Sequence, residues 1–287
     1  MESLRPIDCL FSAQPLKPAS PAMAPALSGA PCRGPIANVV PEMDRYGIDR
    51  VLLTPCAVEA NRCDRQYLCE EAVLSDLLQQ VSRQPQRVSA LVGFNPYDIA
   101  DSLRRLQQAI SDYDLKGLYV SSGTVPLLDR RMYPAYAKCA ELNVPVMFYA
   151  DHSLAWTNEW PMLQEVGMIA ADFPDLRAVA AFGCWPPLDE IWHLLERHDN
   201  MFFALDANPR RDLVARVANF LNGEPGRSHC LWGSNGCCWS EAVPRLNQLP
   251  LHAAVRECFA RTNAIAVFDL HQQKPPQVEA DLILTGE

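Results

Sequence analysis

Clusters of basic residues are missing from this chain. It carries 25 lysines and arginines against 34 aspartates and glutamates, a formal charge of -9 at pH 7. A nucleic-acid interface must gather positive charge to neutralise phosphates, so no nucleic-acid partner is expected. Long apolar runs are missing too. No stretch approaches the length of a membrane span, and Met1 to Pro15 has neither the basic start nor the long apolar centre of a signal peptide. The expectation is a chain with no membrane partner, located in the cytoplasm. Histidine is scarce. Of the six, His193, His198, His229, His252 and His271 fall in helical segments, just ahead of a strand or near the C-terminus, and His152 alone stands at a predicted strand end.

Cysteine is plentiful, but the C-x-x-C spacing of metal or redox motifs is absent. The eleven, Cys9, Cys32, Cys56, Cys63, Cys69, Cys139, Cys184, Cys230, Cys237, Cys238 and Cys258, are scattered, odd in number and often inside apolar runs. That pattern fits reduced thiols acting as small hydrophobes rather than a disulfide framework. Cys237 and Cys238 adjoin in a predicted loop and are the pair to watch, although no neighbour in the sequence stands out that would lower a thiol pKa.

What the chain does have is core-forming material, 49% hydrophobic against 21% charged. Asn143 to His152, NVPVMFYADH, reads as a buried strand that ends abruptly in polar groups, Tyr149, Asp151 and His152. The same alternation of strand and helix runs along the chain. Strands are expected at 5–11, 49–54, 88–94, 116–120, 144–148, 178–182, 201–205 and 230–232. Helices are expected at 41–46, 65–83, 99–112, 133–142, 160–173, 188–198 and 211–221, with closing helices before Leu270. Eight such units in a chain of this size predict a single (β/α)8 barrel of the TIM type over 1–270 rather than an open doubly wound sheet. Residues 15–41, rich in Pro, Ala and Ser, are expected to form a long loop, and 271–287 a C-terminal tail.

In such a barrel the chemistry gathers at the carboxyl ends of the strands. Tyr149, Asp151 and His152 are therefore the catalytic candidates. Neighbours in an extended segment point to opposite sides, so at most one of Asp151 and His152 faces the pocket, and an imidazole's titration near neutral pH favours His152. Ser12, Ser121 and Ser122 can hydrogen-bond a ligand, but none has an evident base to make it a nucleophile. Asp206 is either a carboxylate base or the cap of an ordinary turn. Trp185, Trp156, Trp160 and Trp239 form an aromatic wall over the pocket or pack against the barrel rim.

The order of phrases PIDCLFS, YGIDRVLLTP, QPQRVSALVGFNP, LKGLYV, NVPVMFYAD, FPDLRAVAAFGCWPPLDEIWHLLERHDNMFFALD, HCLWGSN and TNAIAVFDL resembles the amidohydrolase superfamily. The likeness is to its amidohydrolase-related group, which includes aminocarboxymuconate-semialdehyde decarboxylase and related decarboxylases and hydratases. It implies a barrel of the metal-dependent-hydrolase kind that holds a divalent ion on His and Asp side chains. At the corresponding positions this chain has Leu10 and Ser12 for the first-strand pair, Tyr149 on the fifth strand, Ala181 on the sixth and Asn235 on the eighth. A catalytic zinc needs about three ligands from His, Cys and carboxylate, so no metal and no other cofactor is expected. A site rebuilt from His152, Asp151, Asp206 and Cys237 is the alternative.

In this frame Tyr149 replaces an imidazole, either to donate a proton or merely to fill the vacated volume. Asn235 keeps the shape of the lost carboxylate without its charge, which suits orienting a ligand. Two readings follow. One is a metal-independent enzyme, hydrolase or lyase, acting by acid/base chemistry on a small organic molecule of carboxylated or aromatic type, with Ser12, Trp185, Asp206 and Asn235 binding it. The other is an inactive barrel that binds a ligand or serves an active paralogue. Related barrels commonly pair, so a homodimer or a complex with an amidohydrolase paralogue is the expected assembly.

Overall fold

The computed structural model describes residues 4–11, 36–55, 71–121, 125–150, 161–182, 187–205, 209, 211–235 and 237–271. The order of elements is β1 (Ile7–Phe11), α1 (Ile36–Tyr46), β2 (Arg50–Leu53), α2 (Glu71–Arg83), β3 (Val88–Ala90), α3 (Ile99–Ser111), β4 (Leu118–Ser121) and α4 (Tyr133–Glu141). The chain continues through β5 (Val146–Ala150), α5 (Pro161–Asp172), β6 (Ala178–Phe182), α6 (Leu188–Leu195), β7 (Met201–Leu205), α7 (Val214–Asn222), the single turn α8 (Gly226–His229) and β8 (Cys230–Trp232). It closes with α9 (Trp239–Gln248), α10 (Ala253–Glu257), a π-helical turn Cys258–Thr262 and α11 (Asn263–Phe268).

The result is a (β/α)8 barrel. All strand pairings are parallel, β1 through β3 in one ladder and β4 through β8 in another. Val92 bridges to Leu118 and joins the two ladders on one side. On the other side β1 and β8 lie against each other. The strands read as apolar runs because both their faces are covered, and alternate residues sort into two cores. Ile7, Cys9, Leu52, Leu91, Tyr119, Met147, Val179, Ala181, Ala204 and Leu231 fill the barrel interior. Phe11, Val51, Leu53, Val120, Phe148, Ala180, Phe203 and Trp232 face the surrounding helices. Tyr149, two residues beyond Met147, packs with the interior set.

Two glycines mark where elements come too close for a side chain. Gly117 has φ +147, and a Cβ there would lie 2.4 Å from the Pro145 carbonyl oxygen at the start of β5. A Cβ on Gly233, just after β8, would lie 2.5 Å from Leu10 Cβ, so the β1/β8 seam is tight. The amino-terminal end of the barrel is stoppered by α11, whose Ala264, Val267 and Phe268 join the interior core. Arg261 there donates to Asp49 Oδ2 at 2.6 Å and to the Arg5 carbonyl at 2.9 Å, and Asn263 donates to the carbonyls of Arg227 and Cys230.

The helix ahead of β2 begins at Ile36, earlier than the Pro-rich composition suggests, so residues 36–41 are helical rather than loop. Pro41 sits inside this helix because Val39, Met43 and, just past its end, Ile48 bury one side of it, which outweighs the single backbone bond a proline forgoes. The rest of the loop expected at 15–41 and the tail after His271 lie outside the described residues. Among the described residues no helix is long and apolar enough to cross a membrane.

Candidate functional site

The carboxyl end of β5 brings Tyr149 to the inner side of the barrel mouth, half-buried, with its ring stacked on that of Tyr119 from β4 at 6.0 Å and 28°. Its hydroxyl donates to Asn235 Oδ1 at 3.2 Å. Ser121 ends β4 in register with Tyr149 on the neighbouring strand. The hydrogen bond joins β5 to the segment after β8, which are separated by 86 residues.

Asn235 is only 7% exposed and takes φ +50. Among residues with a side chain, Asn is one of the few that adopts this left-handed conformation readily, so the turn Gly233–Ser234–Asn235 is built on a residue suited to it. Cys237 N–H closes the turn on the Ser234 carbonyl at 3.0 Å.

Beneath this turn lies a residue that the pattern of the first strand conceals. Asp8 is fully buried. Its Oδ1 accepts from the Ser234 N–H at 2.8 Å and the Leu10 N–H at 3.1 Å, and its Oδ2 accepts from Trp239 Nε1 at 2.8 Å. Burial pushes its carboxyl above the usual range, while hydrogen bonds from Ser234, Trp239 and Leu10 pull the other way. The signal available in the sequence was a charged residue inside the apolar run IDCLF, since carboxylates are seldom fully buried without partners.

Of the residues singled out in the sequence, the structure brings Tyr149 and Asn235 together. Ser12, Asp151, His152, Trp185 and Asp206 lie outside the described residues, as do Ser122, Trp156 and Trp160. Trp239 is not part of a wall over the pocket. It is fully buried, stacked on Phe11 at 5.1 Å and bonded to Asp8, which is packing behind the strands. Cys238 is buried, whereas Cys237 is half-exposed at the rim. The Cys237 thiol has a neighbour that local reading missed: Arg245 Nη1 is 3.5 Å from Sγ and Glu241 Oε2 is 3.9 Å away, with Arg245 and Glu241 paired one helical turn apart on α9. The i,i+4 spacing of Glu241 and Arg245 was the signal.

Leu10 and Ala181 are buried in the apolar interior and offer no lone pair. Tyr149 binds Asn235 Oδ1, which engages the oxygen that could face an ion. These described side chains do not fit a divalent ion, and among the described residues no three His, Cys, Asp or Glu side chains gather to hold one.

Comparison with known proteins places the chain. The model of the amidohydrolase family matches residues 44–270. No curated protein matches the sequence. Among solved structures, an uncharacterized TIM-barrel protein from Bordetella bronchiseptica superposes with a TM-score of 0.70 at 19% identity, covering 93% of this chain and 99% of that one. A dihydroxybenzoic acid decarboxylase from Polaromonas sp. JS666, solved with bound manganese and the inhibitor 2-nitroresorcinol, gives 0.69 at 14% identity over 96% and 100% of the two chains. The 4-oxalomesaconate hydratase of Rhodopseudomonas palustris gives 0.64 at 15% identity over 92% and 96%. At these identities the structural likeness speaks for the barrel, and with the match over most of the chain it follows that this protein belongs to the amidohydrolase family.

Proposed function

We propose that this protein is an enzyme of small organic acids, a lyase or hydrolase that works by acid/base chemistry without a metal, with Tyr149 as its acid and Asn235 as the group that orients the substrate. The observation that carries the reading is the hydrogen bond from the Tyr149 hydroxyl to Asn235 Oδ1 across the barrel mouth. The bond holds the phenol at the mouth with its O–H on Asn235; a substrate oxygen or carbon that takes the place of Asn235 Oδ1 as acceptor can receive the proton, and the phenolate regains one from solvent or from a second proton-transfer group. The apolar interior around it, with Ala181 on the adjacent strand and Ala204 on the one beyond, suits the ring or chain of such a molecule. Support for the substrate class comes from the structural neighbours, which decarboxylate dihydroxybenzoic acid or hydrate 4-oxalomesaconate. In this reading His152 and Asp151 supply a second proton-transfer group from the segment after β5, Ser12, Trp185 and Asp206 line the ligand, and the protein works in the cytoplasm as a homodimer.

A second reading, a ligand-binding or partner barrel without turnover, draws on the same bond: Tyr149 and Asn235 already satisfy each other, as groups retired from chemistry would. One experiment separates the two. Hydroxybenzoates and unsaturated dicarboxylates are screened by thermal shift, and whatever binds is assayed with wild type and Tyr149→Phe. The enzyme reading expects turnover to fall by about a hundredfold or more with little change in affinity, since one proton donor is lost. Turnover unaffected by Tyr149→Phe sinks the assignment of Tyr149, and binding without turnover by wild type favours the partner barrel. Elemental analysis is expected to find no stoichiometric metal. About one divalent ion per chain, retained through mild chelation, overturns the metal-free part of the proposal.

A further inference from the structure

We infer that Asp8 is the positioning residue of the barrel mouth: it clamps the turn after β8 to β1 and so sets where the Asn235 amide meets Tyr149. The inference rests on the reading of Tyr149 and Asn235 as the ligand-facing pair. Among the described residues, the backbone ladders end at β1 on one side and β8 on the other. A side chain spans this gap. Asp8 Oδ1 takes the N–H of its own strand at Leu10 and the N–H of Ser234 across the seam, 226 residues away, while Oδ2 takes the Trp239 indole at the start of α9. One carboxylate thus fixes the turn at both of its ends, Ser234 before Asn235 and Trp239 after it. Leu10 against Gly233 leaves no room for the turn to slide along β1. Asn235 sits inside this bracket with its backbone at φ +50, and its side-chain oxygen receives the Tyr149 hydroxyl.

The chemistry of the clamp makes it testable. The N–H groups of Leu10, Ser234 and the Trp239 indole can only donate, and the Ser234 hydroxyl bonds the carboxylate as well, so both oxygens at position 8 accept. Asp8→Asn preserves size and shape but turns an NH₂ toward a donor. Trp239→Phe keeps a ring against Phe11 and removes the indole donor facing Oδ2. The substitutions should therefore rescue each other: in Asp8→Asn/Trp239→Phe the remaining oxygen serves Leu10 and Ser234, and the introduced NH₂ no longer meets a donor.

The readout is NMR of the ligand-free protein, following the side-chain amide of Asn235 and the ζ-carbon of Tyr149. Asp8→Asn is expected to shift both signals, the Asn235 amide by as much as Tyr149→Phe shifts it. The double variant should return them close to their positions in Trp239→Phe. A seam residue that served stability alone would lower the melting temperature and leave both signals in place. Asn235 and Tyr149 signals unmoved in folded Asp8→Asn, or a double variant no closer to Trp239→Phe than Asp8→Asn is, overturns the inference. Should Asp8→Asn fail to fold, the comparison of Trp239→Phe with the double variant decides alone: coincident Asn235 signals uphold the clamp, and divergent ones overturn it. The expected shifts in a protein that turns over no substrate uphold the clamp and sink the enzymatic reading, so the two fail separately.

Discussion

The two ends of the barrel are built in different ways. At the amino-terminal end, charge and backbone lock the strands to the helices: Arg261 and Arg5 share Asp49, Arg50 reaches Ser89 and the Gln86 carbonyl, Arg87 holds Asp44 and the carbonyls of Ile48 and Asp49, and Lys116 pairs with Asp114. The helix α11 covers the opening. At the carboxyl-terminal end two side-chain bonds reach far along the chain, Tyr149 to Asn235 and Asp8 to the turn after β8, while Cys237 beside Arg245 is a local contact. Barrel enzymes divide their labour in this way, stability at the bottom and chemistry at the top, because the loops after the strands converge on one face and can vary without unseating the strands. The difference teaches where to cut: damage below should cost folding, and damage above should cost function.

The largest effect expected is at the bottom. In Gly117→Ala, the new methyl meets the Pro145 carbonyl at 2.4 Å and the backbone is held at φ +147. Strain of this kind with a backbone clash should cost about 3 kcal/mol or more, read as a lower denaturation midpoint with the slope unchanged. The protein that remains folded should keep the Tyr149 and Asn235 signals and any turnover of wild type. Loss of activity per folded molecule would break the division between the two ends. Tyr149→Phe is the mirror test. One half-buried hydrogen bond is lost, worth about 1 kcal/mol or less, so stability should hardly move while the site changes. A drop of several kcal/mol would make Tyr149 a part of the scaffold.

Much of this architecture was legible. AVAAF, MFFAL and CLW are short apolar runs between polar flanks, and the strands β6, β7 and β8 begin and end where those runs do. Tyr149 stood out because it ends an otherwise apolar strand, and Asn235 because the family resemblance sets it where relatives carry an Asp. Their contact did not, since periodicity along a chain carries no information about residues 86 apart. Asp8 was hidden by its neighbours, which make IDCLF read as one more buried strand, and only the fold shows Leu10, Ser234 and Trp239 gathered around it. Trp239 was open between a wall over the pocket and packing, and the fold decides for packing. A large aromatic in a segment after a strand suggests a wall, but the start of α9 turns it inward, where its indole finds Asp8.

The smallest effect concerns pH and again separates the ends. His198 closes the turn between α6 and β7, at the bottom of the barrel, where the Met201 N–H bonds its carbonyl at 3.1 Å and its ring lies beside Gly167 of α5. Burial, and after it the adjacent Arg197 guanidinium, hold its imidazole below the ordinary value of 6.5. In the unfolded chain the burial is gone and water screens the Arg197 charge. As pH falls below 6.5, the unfolded state therefore takes up a proton that the folded state resists, and stability declines until the folded imidazole itself protonates. The ring is only partly buried, so the slope should be shallow. His198→Gln should remove that part of the acid-side decline, seen as denaturation midpoints that vary less with pH below 6.5, while the pH profile of turnover stays where it was. A turnover profile that moves with His198→Gln would mean that the bottom of this barrel communicates with its mouth, and the separation drawn between the two ends would have to be given up.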